Sequence, residues 1–387
     1  MKKIGIITFH HYCNYGTMLQ ALALQRKVEQ LGYEAELIDY MPDNRISKFD
    51  MMKLRLKRLP VYIKNHKKYG ILSANKKNIA EKAEAFERFY NNNIKVGSKE
   101  YNSLEELMSN PPLYDGYVVG SDQTWNPYVA GFQKAFFLPF VKDNAKKGSY
   151  APSISVTSIP ENKVPYYKDE LSKFSFLSCR EKDGKELLEK IIGHSVEQVI
   201  DPTLLLSLDD WAKYMDEAIP TKPYILVYFL GDKKWYRNKV EQIQKATGWN
   251  VITLPVSYLE MESTYEKKWC GPSGFLALIN GASLVCTDSF HGTIFSISFK
   301  KNFYSFCKTA DSDNSSENSR LYSVLELFGL SDRLIRQSDT INFENTEIDY
   351  AKIESLLLNE RKKSTAYLKN MLEKISKGNS YESCNKR

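Results

Sequence analysis

The sequence has few of the features that mark a secreted, metal-binding or membrane-spanning protein. Its six cysteines include no CxxC pair and have no zinc-like spacing to the five histidines, so we expect reduced thiols and no metal ligand set. After Lys2 and Lys3, only about six apolar or small residues precede His10, too few for a signal-peptide core. The weakly charged segment 271–287 is interrupted by Gly, Pro, Ser and Asn and is shorter than the roughly 20 apolar residues of a membrane span. We therefore expect a soluble, cytoplasmic protein.

Common cofactor and nucleic-acid signatures are also missing. The chain contains no G-x-x-x-x-G-K-[ST], no G-x-G-x-x-G and no H-E-x-x-H, so the usual nucleotide and zinc-protease motifs are absent. It also lacks the aromatic and basic patterns of nucleic-acid modules, and we expect no nucleic-acid partner.

The positive charge is concentrated in one segment. The chain carries a formal net charge of +7, and residues 45–77 hold eleven Lys or Arg against one acid, Asp50. This segment contributes +10, so the rest of the chain carries about −3. The concentration predicts either peripheral contact with the anionic inner face of the cell membrane or an ordinary solvated helical face.

The chain is long enough for two domains, and its pattern alternates between strands and helices. At 387 residues it exceeds the size of one small core. Continuous apolar runs predict buried parallel strands, and the helical segments between them predict β-α-β units. The predicted strands are 3–9, 34–40, 114–122, 148–153, 174–181, 196–206, 224–231, 249–255, 282–287 and 302–306. We expect an N-terminal domain at 1–208 with a basic helical insert at 45–90, a C-terminal domain at 209–345 and a helical tail at 346–387.

Polar residues follow two strands of the N-terminal half, where parallel sheets bind ligands. Asn14 and Gly16 stand before a predicted helix, whose first N–H groups favour anions, although Asn and Gly are also ordinary turn residues. Ser121, Asp122 and Trp125 follow the strand at 114–122. An Asp beside a Trp is suited to a sugar hydroxyl, and it is equally suited to capping a turn.

Three further residues are candidates for binding and catalysis. Arg180 ends a predicted strand and Arg320 begins a predicted helix. A guanidinium in either place is suited to a phosphate or carboxylate, or is an ordinary surface group. His291 lies between the strand at 282–287 and a helix, beside Gly292. Of the five histidines it is the best candidate for an acid or base.

Six sequence blocks together resemble the polysaccharide pyruvyl transferase family. In chain order they are NYGTMLQALAL, DGYVVGSDQTWNP, SCREKDGKELLEKI, DPTLLL, TDSFHGTIFSISF and SRLYSVLELFGL. The resemblance extends over roughly residues 3–333. It implies an α/β fold like that of the GT-B glycosyltransferases, in which two Rossmann-like domains face a cleft and a C-terminal helix crosses back.

The resemblance also implies a reaction and roles for residues. The donor would be phosphoenolpyruvate, a co-substrate needing no separate cofactor, and the acceptor a sugar of a surface polysaccharide or of its lipid-linked precursor. The product would be a cyclic pyruvate ketal. His291 would be the catalytic acid or base. The donor's phosphate and carboxylate would be bound by Arg180, Arg320, Ser289, Gly292 and Thr293. The cleft or acceptor side would include Asn14, Gly16, Ser121, Asp122 and Trp125.

One position departs from the family pattern. Well-studied relatives often have an arginine two places before the histidine, where this chain has Ser289. Either another arginine takes its role or the donor differs. A glycosyltransferase that uses a nucleotide sugar on the same fold is therefore the alternative, since fold does not determine function. A non-enzymatic glycan- or phosphate-binding protein is a third reading.

Overall fold

Two parallel β-sheets organise the chain, one in each half of the sequence. The computed structural model describes residues 1–41, 66–129, 133–216, 220–308, 319–341 and 347–378. Within these ranges all strand pairs of both sheets are parallel, and helices fill most of the crossovers between strands. Each half is therefore a doubly wound α/β unit.

The N-terminal sheet has five strands in the order β3-β2-β1-β4-β5. Its strands are β1 (Lys3–Ile7), β2 (Glu34–Tyr40), β3 (Val96–Tyr101), β4 (Gly116–Val119) and β5 (Lys147–Ser149). Two short strands, β6 (Ser178–Cys179) and β7 (Glu197–Gln198), pair with each other. A bridge between Gly148 and Phe176 joins this pair to β5. The strands expected at 174–181 and 196–206 are thus much shorter than predicted.

The described residues of this half form seven α-helices. They are α1 (Tyr15–Gln30), α2 (His66–Ala74), α3 (Lys76–Asn93), α4 (Leu104–Ser109), α5 (Val164–Leu171), α6 (Lys182–Ile192) and α7 (Pro202–Leu205). Helix α1 begins where the side-chain oxygen of Asn14 accepts a hydrogen bond from the N–H of Thr17 at 3.2 Å, which satisfies a donor of the first turn. Three short 3₁₀ helices complete the half: Lys134–Phe137, Asn144–Lys146 and Glu161–Lys163.

The C-terminal sheet has six strands and repeats the N-terminal order. Its order is β10-β9-β8-β11-β12-β13. The strands are β8 (Tyr224–Tyr228), β9 (Asn250–Thr253), β10 (Glu266–Lys267), β11 (Leu284–Thr287), β12 (Asn302–Phe306) and β13 (Leu334–Ile335). The helices are α8 (Leu208–Ala212), α9 (Lys234–Thr247), α10 (Tyr258–Glu262), α11 (Pro272–Gly281), α12 (Phe290–Ser298), α13 (Ser319–Leu327) and α14 (Tyr350–Ile375), with a 3₁₀ helix at Ser331–Arg333.

The last helix, α14, packs against both halves. Near its start, the hydroxyl of Tyr350 donates to the carbonyl of Lys301 at 2.5 Å, in the C-terminal half. Near its end, Ile375 lies directly against Gly116 of β4, and the hydroxyl of Tyr367 donates to the carbonyl of Ser149 at 3.1 Å. The helix therefore crosses back onto the N-terminal sheet, as the sequence predicts.

The predicted fold class, two Rossmann-like domains with a returning C-terminal helix, is confirmed. The domain boundaries at 208 and 345 stay predictions, although each sheet lies within one predicted domain. Of the predicted helical insert at 45–90, the part from residue 66 is helical, and residues 45–65 lie outside the described ranges. None of the helices in the described part of the chain is long and apolar enough to cross a membrane.

In each sheet the strand order reverses beside the first strand of that half of the chain. Open parallel sheets bind their ligands at such reversals. In the N-terminal sheet the reversal lies between β1 and β4, and in the C-terminal sheet between β8 and β11. Crevices form outside the carboxyl ends of strands at such points. The loops that follow β1, β4 and β11 are therefore the first places to look for a site.

Candidate active site

His291 lies in the first turn of α12, directly after the end of β11. Ser289 caps this helix, its Oγ accepting from the N–H of Gly292 at 3.4 Å. The imidazole faces Gly16 of the N-terminal half: a Cβ atom built on Gly16 would lie 2.0 Å from His291 Nδ1. Only a residue without a side chain leaves room for the ring. The loop after β1 and the loop after β11, which lie at the strand-order reversals of the two sheets, thus meet where Gly16 contacts His291.

Asp201 joins His291 to Arg180. Its Oδ2 atom lies 2.5 Å from Nη1 of Arg180 and 3.7 Å from Nε2 of His291. Its Oδ1 atom accepts from the N–H and the hydroxyl of Thr203 at 2.9 and 2.7 Å, which caps α7. Burial alone would raise the pKa of Asp201, but His291 and Arg180 outweigh it and hold that pKa well below its usual range. The carboxylate therefore stays ionised between the two basic groups.

Arg180 is a buried, charged group with part of its guanidinium facing a cavity. Its side chain is 3% exposed. Burial lowers the pKa of Arg180, but the neighbouring acids Asp201 and Glu181 raise it overall. Its Nη1 also donates to Ser121 Oγ at 3.3 Å, whereas its Nε and Nη2 atoms make no hydrogen bond within the described residues. Those two N–H groups are suited to an anion.

Phe290 separates the two candidate arginines. The Cζ atom of Arg180 lies 4.2 Å from the centroid of its ring, and that of Arg320 lies 5.9 Å from the same centroid, both within cation–π range. Arg180, Arg320 and Phe290 line one cavity together with Asp201. Both positive charges therefore lie near one aromatic ring in the wall of this cavity.

Ser121 and Asp122 bring the end of β4 into the same cluster. Ser121 donates from Oγ to Oδ2 of Asp201 at 3.1 Å. Asp122 has a φ of 69°, in the left-handed region, and its Oδ2 accepts from the hydroxyl of Thr17 at 2.7 Å. Ala151 and Ser155 also have left-handed φ values, 56° and 57°. Such strained backbone in non-glycine residues often marks a functional site.

The structure places three of the predicted site residues away from this cluster. Trp125 is fully buried in the N-terminal core and its indole donates to the carbonyl of Phe136 at 3.1 Å, so it is a core residue and not a cleft residue. The hydroxyl of Thr293 pairs with that of Ser305 at 2.7 Å, on the sheet side of α12. A Cβ on Gly292 would lie 2.4 Å from Thr287 Oγ1, so this glycine lets α12 approach β11. These roles are structural.

Sequence reasoning missed Asp201 and Phe290. Asp201 opens the DPTLLL block, where Asp before Pro reads as a helix cap, a role that it also fills through Thr203. Phe290 lies in the TDSFHGTIFSISF block directly before His291. Membership of the blocks is the one sequence signal that marks both residues, and nothing in the sequence places Asp201 beside His291.

The expectation of no metal ligand set stays a prediction. Within the described ranges, one group of side chains has ligand atoms close enough to hold a metal ion: His10, His11 and Asp39. None of these three belongs to the cluster around Asp201.

The chain matches the profile of a family described as "Polysaccharide pyruvyl transferase" over residues 14–306. This range is well over half of the chain and contains five of the six sequence blocks in full. None of the curated proteins compared with the chain matches it.

Several solved structures resemble the whole chain at low identity. They include UDP-GlcNAc 2-epimerase from Neisseria meningitidis bound to UDP-GlcNAc, at 13% identity and a TM-score of 0.46, covering 95% of this chain and 99% of that one. MurG of Acinetobacter baumannii has 10% identity and a TM-score of 0.43, covering 97% and 100%. The S. aureus MnaA–UDP structure has 13% identity and a TM-score of 0.47, covering 96% and 91%. At scores this low, these likenesses assign neither substrate nor mechanism.

Proposed function

The chain belongs to the polysaccharide pyruvyl transferase family, and we propose that it transfers the pyruvyl group of phosphoenolpyruvate onto a glycan as a cyclic ketal. It is a transferase. The acceptor in this proposal is a sugar of a surface polysaccharide or of its lipid-linked precursor, which offers two hydroxyls at a suitable spacing.

One observation carries the proposal: two buried arginines share a cavity beside a histidine. Phosphoenolpyruvate has a phosphate and a carboxylate on adjacent positions, and its transfer needs a proton at the neighbouring methylene carbon. Arg180 and Arg320 lie on one cavity wall, on the ring of Phe290. His291 and Arg180 contact the same oxygen of Asp201. Arg180 is flanked by Asp201 and Glu181, at 2.5 and 3.7 Å, so the match to the donor rests on guanidinium geometry and not on a count of charges. Two guanidinium groups on one cavity wall, with an acid–base residue beside them, match the phosphate and carboxylate of this donor.

The serine at position 289 is consistent with this donor. Arg180 comes from a different strand, yet its guanidinium reaches the carboxylate that His291 also contacts. The Arg180 guanidinium is therefore close to His291, where an arginine can bind the donor. Ser289 instead caps α12, a role that an arginine does not fill. We propose that Arg180 replaces the arginine found two places before the histidine in well-studied relatives.

The residues take the following parts in the reaction. His291 in its protonated form donates a proton to the methylene carbon, which becomes the methyl group, and the adjacent carbon becomes cationic. One sugar hydroxyl attacks that carbon and loses its proton to His291. The C–O bond to phosphate then breaks, and phosphate leaves with the electron pair while Arg180 and Arg320 hold its charge. The second hydroxyl attacks the same carbon, closes the ring and passes its proton to the released phosphate, so the products are the ketal and hydrogen phosphate.

The acceptor side of the proposal lies at the junction of the halves. Gly16 gives the His291 ring room at this junction, and Ser121 and Asp122 lie at the end of β4 beside it. Asn14 caps α1 close by in sequence. A sugar approaching His291 from this side would contact the loops after β1 and β4. We further propose that the enzyme works at the inner face of the membrane, held there by the basic segment 45–77.

The test is thermal stabilisation of the purified protein by phosphoenolpyruvate, inorganic phosphate and a panel of nucleotide sugars. A ligand at 100 times its dissociation constant stabilises by about 2.7 kcal/mol. We expect a shift in Tm with phosphoenolpyruvate that exceeds that with phosphate and falls in Arg320→Gln. Arg336→Gln, which changes an exposed arginine, is the matched control and should leave the shift unchanged.

A different outcome would favour the alternative. A shift with a nucleotide sugar and none with phosphoenolpyruvate would make the protein a glycosyltransferase, and Ser289 would then mark a change of donor. Release of phosphate from phosphoenolpyruvate in the presence of a glycan acceptor would support the ketal reaction directly.

A further inference from the structure

The carboxyl ends of β1 and β2 bring three potential metal ligands together. His10 and His11 follow β1, and Asp39 lies near the end of β2, its parallel neighbour. One ligand atom of each of the three residues lies within 4.8 Å of those of the other two. Nε2 of His10, Nε2 of His11 and Oδ1 of Asp39 are buried and make no well-aligned hydrogen bond within the described residues. Buried polar atoms in this state are unusual in a fold.

The ring of His10 is held in the orientation that a ligand needs. Its Nδ1 atom lies 2.9 Å from the hydroxyl of Tyr90 on α3, and the two rings are stacked. An outer hydrogen bond at one nitrogen with the other nitrogen pointing inward is the usual arrangement of a metal-bound histidine.

A simple ion pair does not account for the whole group. His11 Nε2 and Asp39 Oδ1 lie 2.7 Å apart, which in itself is an ordinary pair of a histidine and an acid. It does not involve His10, a residue with 1% exposure whose Nε2 makes no well-aligned hydrogen bond within the described residues. A positive ion between the three atoms would satisfy all of them at once.

We propose that His10, His11 and Asp39 bind a divalent transition-metal ion of the Zn²⁺ class, with at least one coordination position open to solvent. Two imidazoles and one carboxylate are a donor set that this class prefers. Bonds of about 2.0–2.2 Å place tetrahedral ligand atoms roughly 3.4 Å apart. The ligand atoms of His10, His11 and Asp39 lie within 4.8 Å of one another. The proposal needs only small side-chain movements.

The two histidines line a cavity of about 610 Å³. Besides the two histidines, its walls include Cys13, Glu84, Glu87 and Tyr90. This cavity shares no lining residue with the one that holds Arg180 and Arg320. The metal site is therefore distinct from the proposed transfer site, and its test does not depend on the reaction.

The experiment measures metal binding by the full chain. Protein treated with a chelator is dialysed against Zn²⁺ or Co²⁺, and bound metal is counted by elemental analysis and by the Co²⁺ absorption bands. We expect about one ion per chain, released as pH falls because the ligands must be deprotonated. His10→Gln and Asp39→Asn should each weaken binding by about 100-fold or more. Tyr90→Phe, which removes the partner of His10, should weaken it by about 10–100-fold.

A matched control separates this site from adventitious binding. His194 is an exposed histidine whose Nδ1 lies 3.4 Å from the carbonyl of Ser195, and His194→Gln should bind metal like the unaltered chain. Equal affinity in Asp39→Asn and the unaltered chain would overturn the proposal, as would the absence of a stoichiometric ion. Asp39 is partly exposed, so this variant should fold even if His10→Gln does not, and circular dichroism checks both.

Discussion

Two clusters in this molecule place a histidine next to an aspartate, and they differ in how their polar atoms are satisfied. Around Asp201, one carboxylate oxygen accepts from Arg180 and Ser121 and lies 3.7 Å from His291. Around Asp39, ligand atoms of His10 and His11 converge with the carboxylate, whose Oδ1 lies 2.7 Å from Nε2 of His11. The acid of the first cluster is paired with a buried arginine, whereas the acid of the second, partly exposed cluster is paired only with a histidine. Because removing one member of a buried pair is costly, the first cluster should be the more sensitive to substitution, whereas the second is suited to a bound ion.

The largest expected effect is a loss of stability when the Asp201 pair is broken. Asp201→Asn keeps the shape and leaves the Arg180 guanidinium without its closest negative partner in a buried setting. Removing one member of a buried pair costs about 3–5 kcal/mol. Urea unfolding measures the free energy of unfolding. In the other cluster, Asp39→Asn should cost less than about 1 kcal/mol, because Asp39 is partly exposed. If Asp201→Asn and Asp39→Asn lower the free energy of unfolding equally, the two clusters do not differ in their contribution to stability.

The next effect concerns catalysis without a loss of folding. His291→Gln should lower the rate of phosphate release from phosphoenolpyruvate by about 10²-fold, equivalent to roughly 2.7 kcal/mol in the barrier. The free energy of unfolding should change little, because the Asp201 carboxylate keeps its contacts with Arg180 and Thr203. His194→Gln serves as the control histidine. A full rate in His291→Gln would show that another group moves the proton.

A smaller effect should follow from filling the space beside the ring. A Cβ at Gly16 would lie 2.0 Å from His291 Nδ1, so Gly16→Ala must displace the imidazole. We expect a rate lower by about tenfold, since small misplacements of a catalytic group are costly. Gly70→Ala is the control, because a Cβ there meets nothing within 4 Å. If both variants keep the full rate, the contact between the two halves does not position His291.

The smallest effect concerns Lys82, a mostly buried cation on α3. Its Nζ lies 4.8 Å from the ring centroid of Tyr15 and donates to the carbonyl of Pro255 at 3.3 Å. No carboxylate within the described residues pairs with it. Burial lowers the pKa of Lys82 to about 8, so below pH 8 the folded protein bears the full cost of burying the charge.

Lys82→Met should therefore stabilise the protein at pH 7, by about 1 kcal/mol after the lost contacts are counted. In the parent chain the unfolded state holds this proton more tightly between pH 8 and 10.5, so the parent's stability rises with pH there. The advantage of the variant should shrink through that window. Lys77→Met changes an exposed lysine of the same helix and should have no such pH dependence. If Lys82→Met is less stable than the parent chain at pH 7, the contacts of the Lys82 side chain stabilise the fold by more than the burial of its charge costs.

The sequence predicted most of the fold because buried parallel strands have a strong local pattern. The runs at β1, β8 and β11 are mostly apolar, and apart from Lys3 at the start of β1 they are buried on both faces. Strand β3 was missed, since its sequence VGSKEY is polar and lies at the sheet edge. Such a strand exists because β2 offers it hydrogen bonds, and no local pattern records that.

The sequence predicted the location of some candidate residues and not of others, because local pattern indicates backbone position and not side-chain direction. His291, Arg180, Ser121 and Gly16 follow strand ends or precede helices, so their position in the chain predicts their position in the fold. Trp125 follows the same rule, yet its side chain turns into the core, where it packs on Phe137. Strand ends specify where the backbone of a residue lies, and packing decides where its side chain points.

By itself the sequence determined the family, the two parallel sheets and the returning helix, because hydrophobic periodicity and ordered sequence blocks are local properties of a chain. Only the tertiary structure decided that Asp201 joins Arg180 to His291, that Gly16 makes room for the imidazole, and that His10, His11 and Asp39 converge. These contacts join residues far apart in sequence, and their geometry depends on how two sheets and a crossing helix pack. Distance in space between such residues is not encoded by any short stretch of sequence.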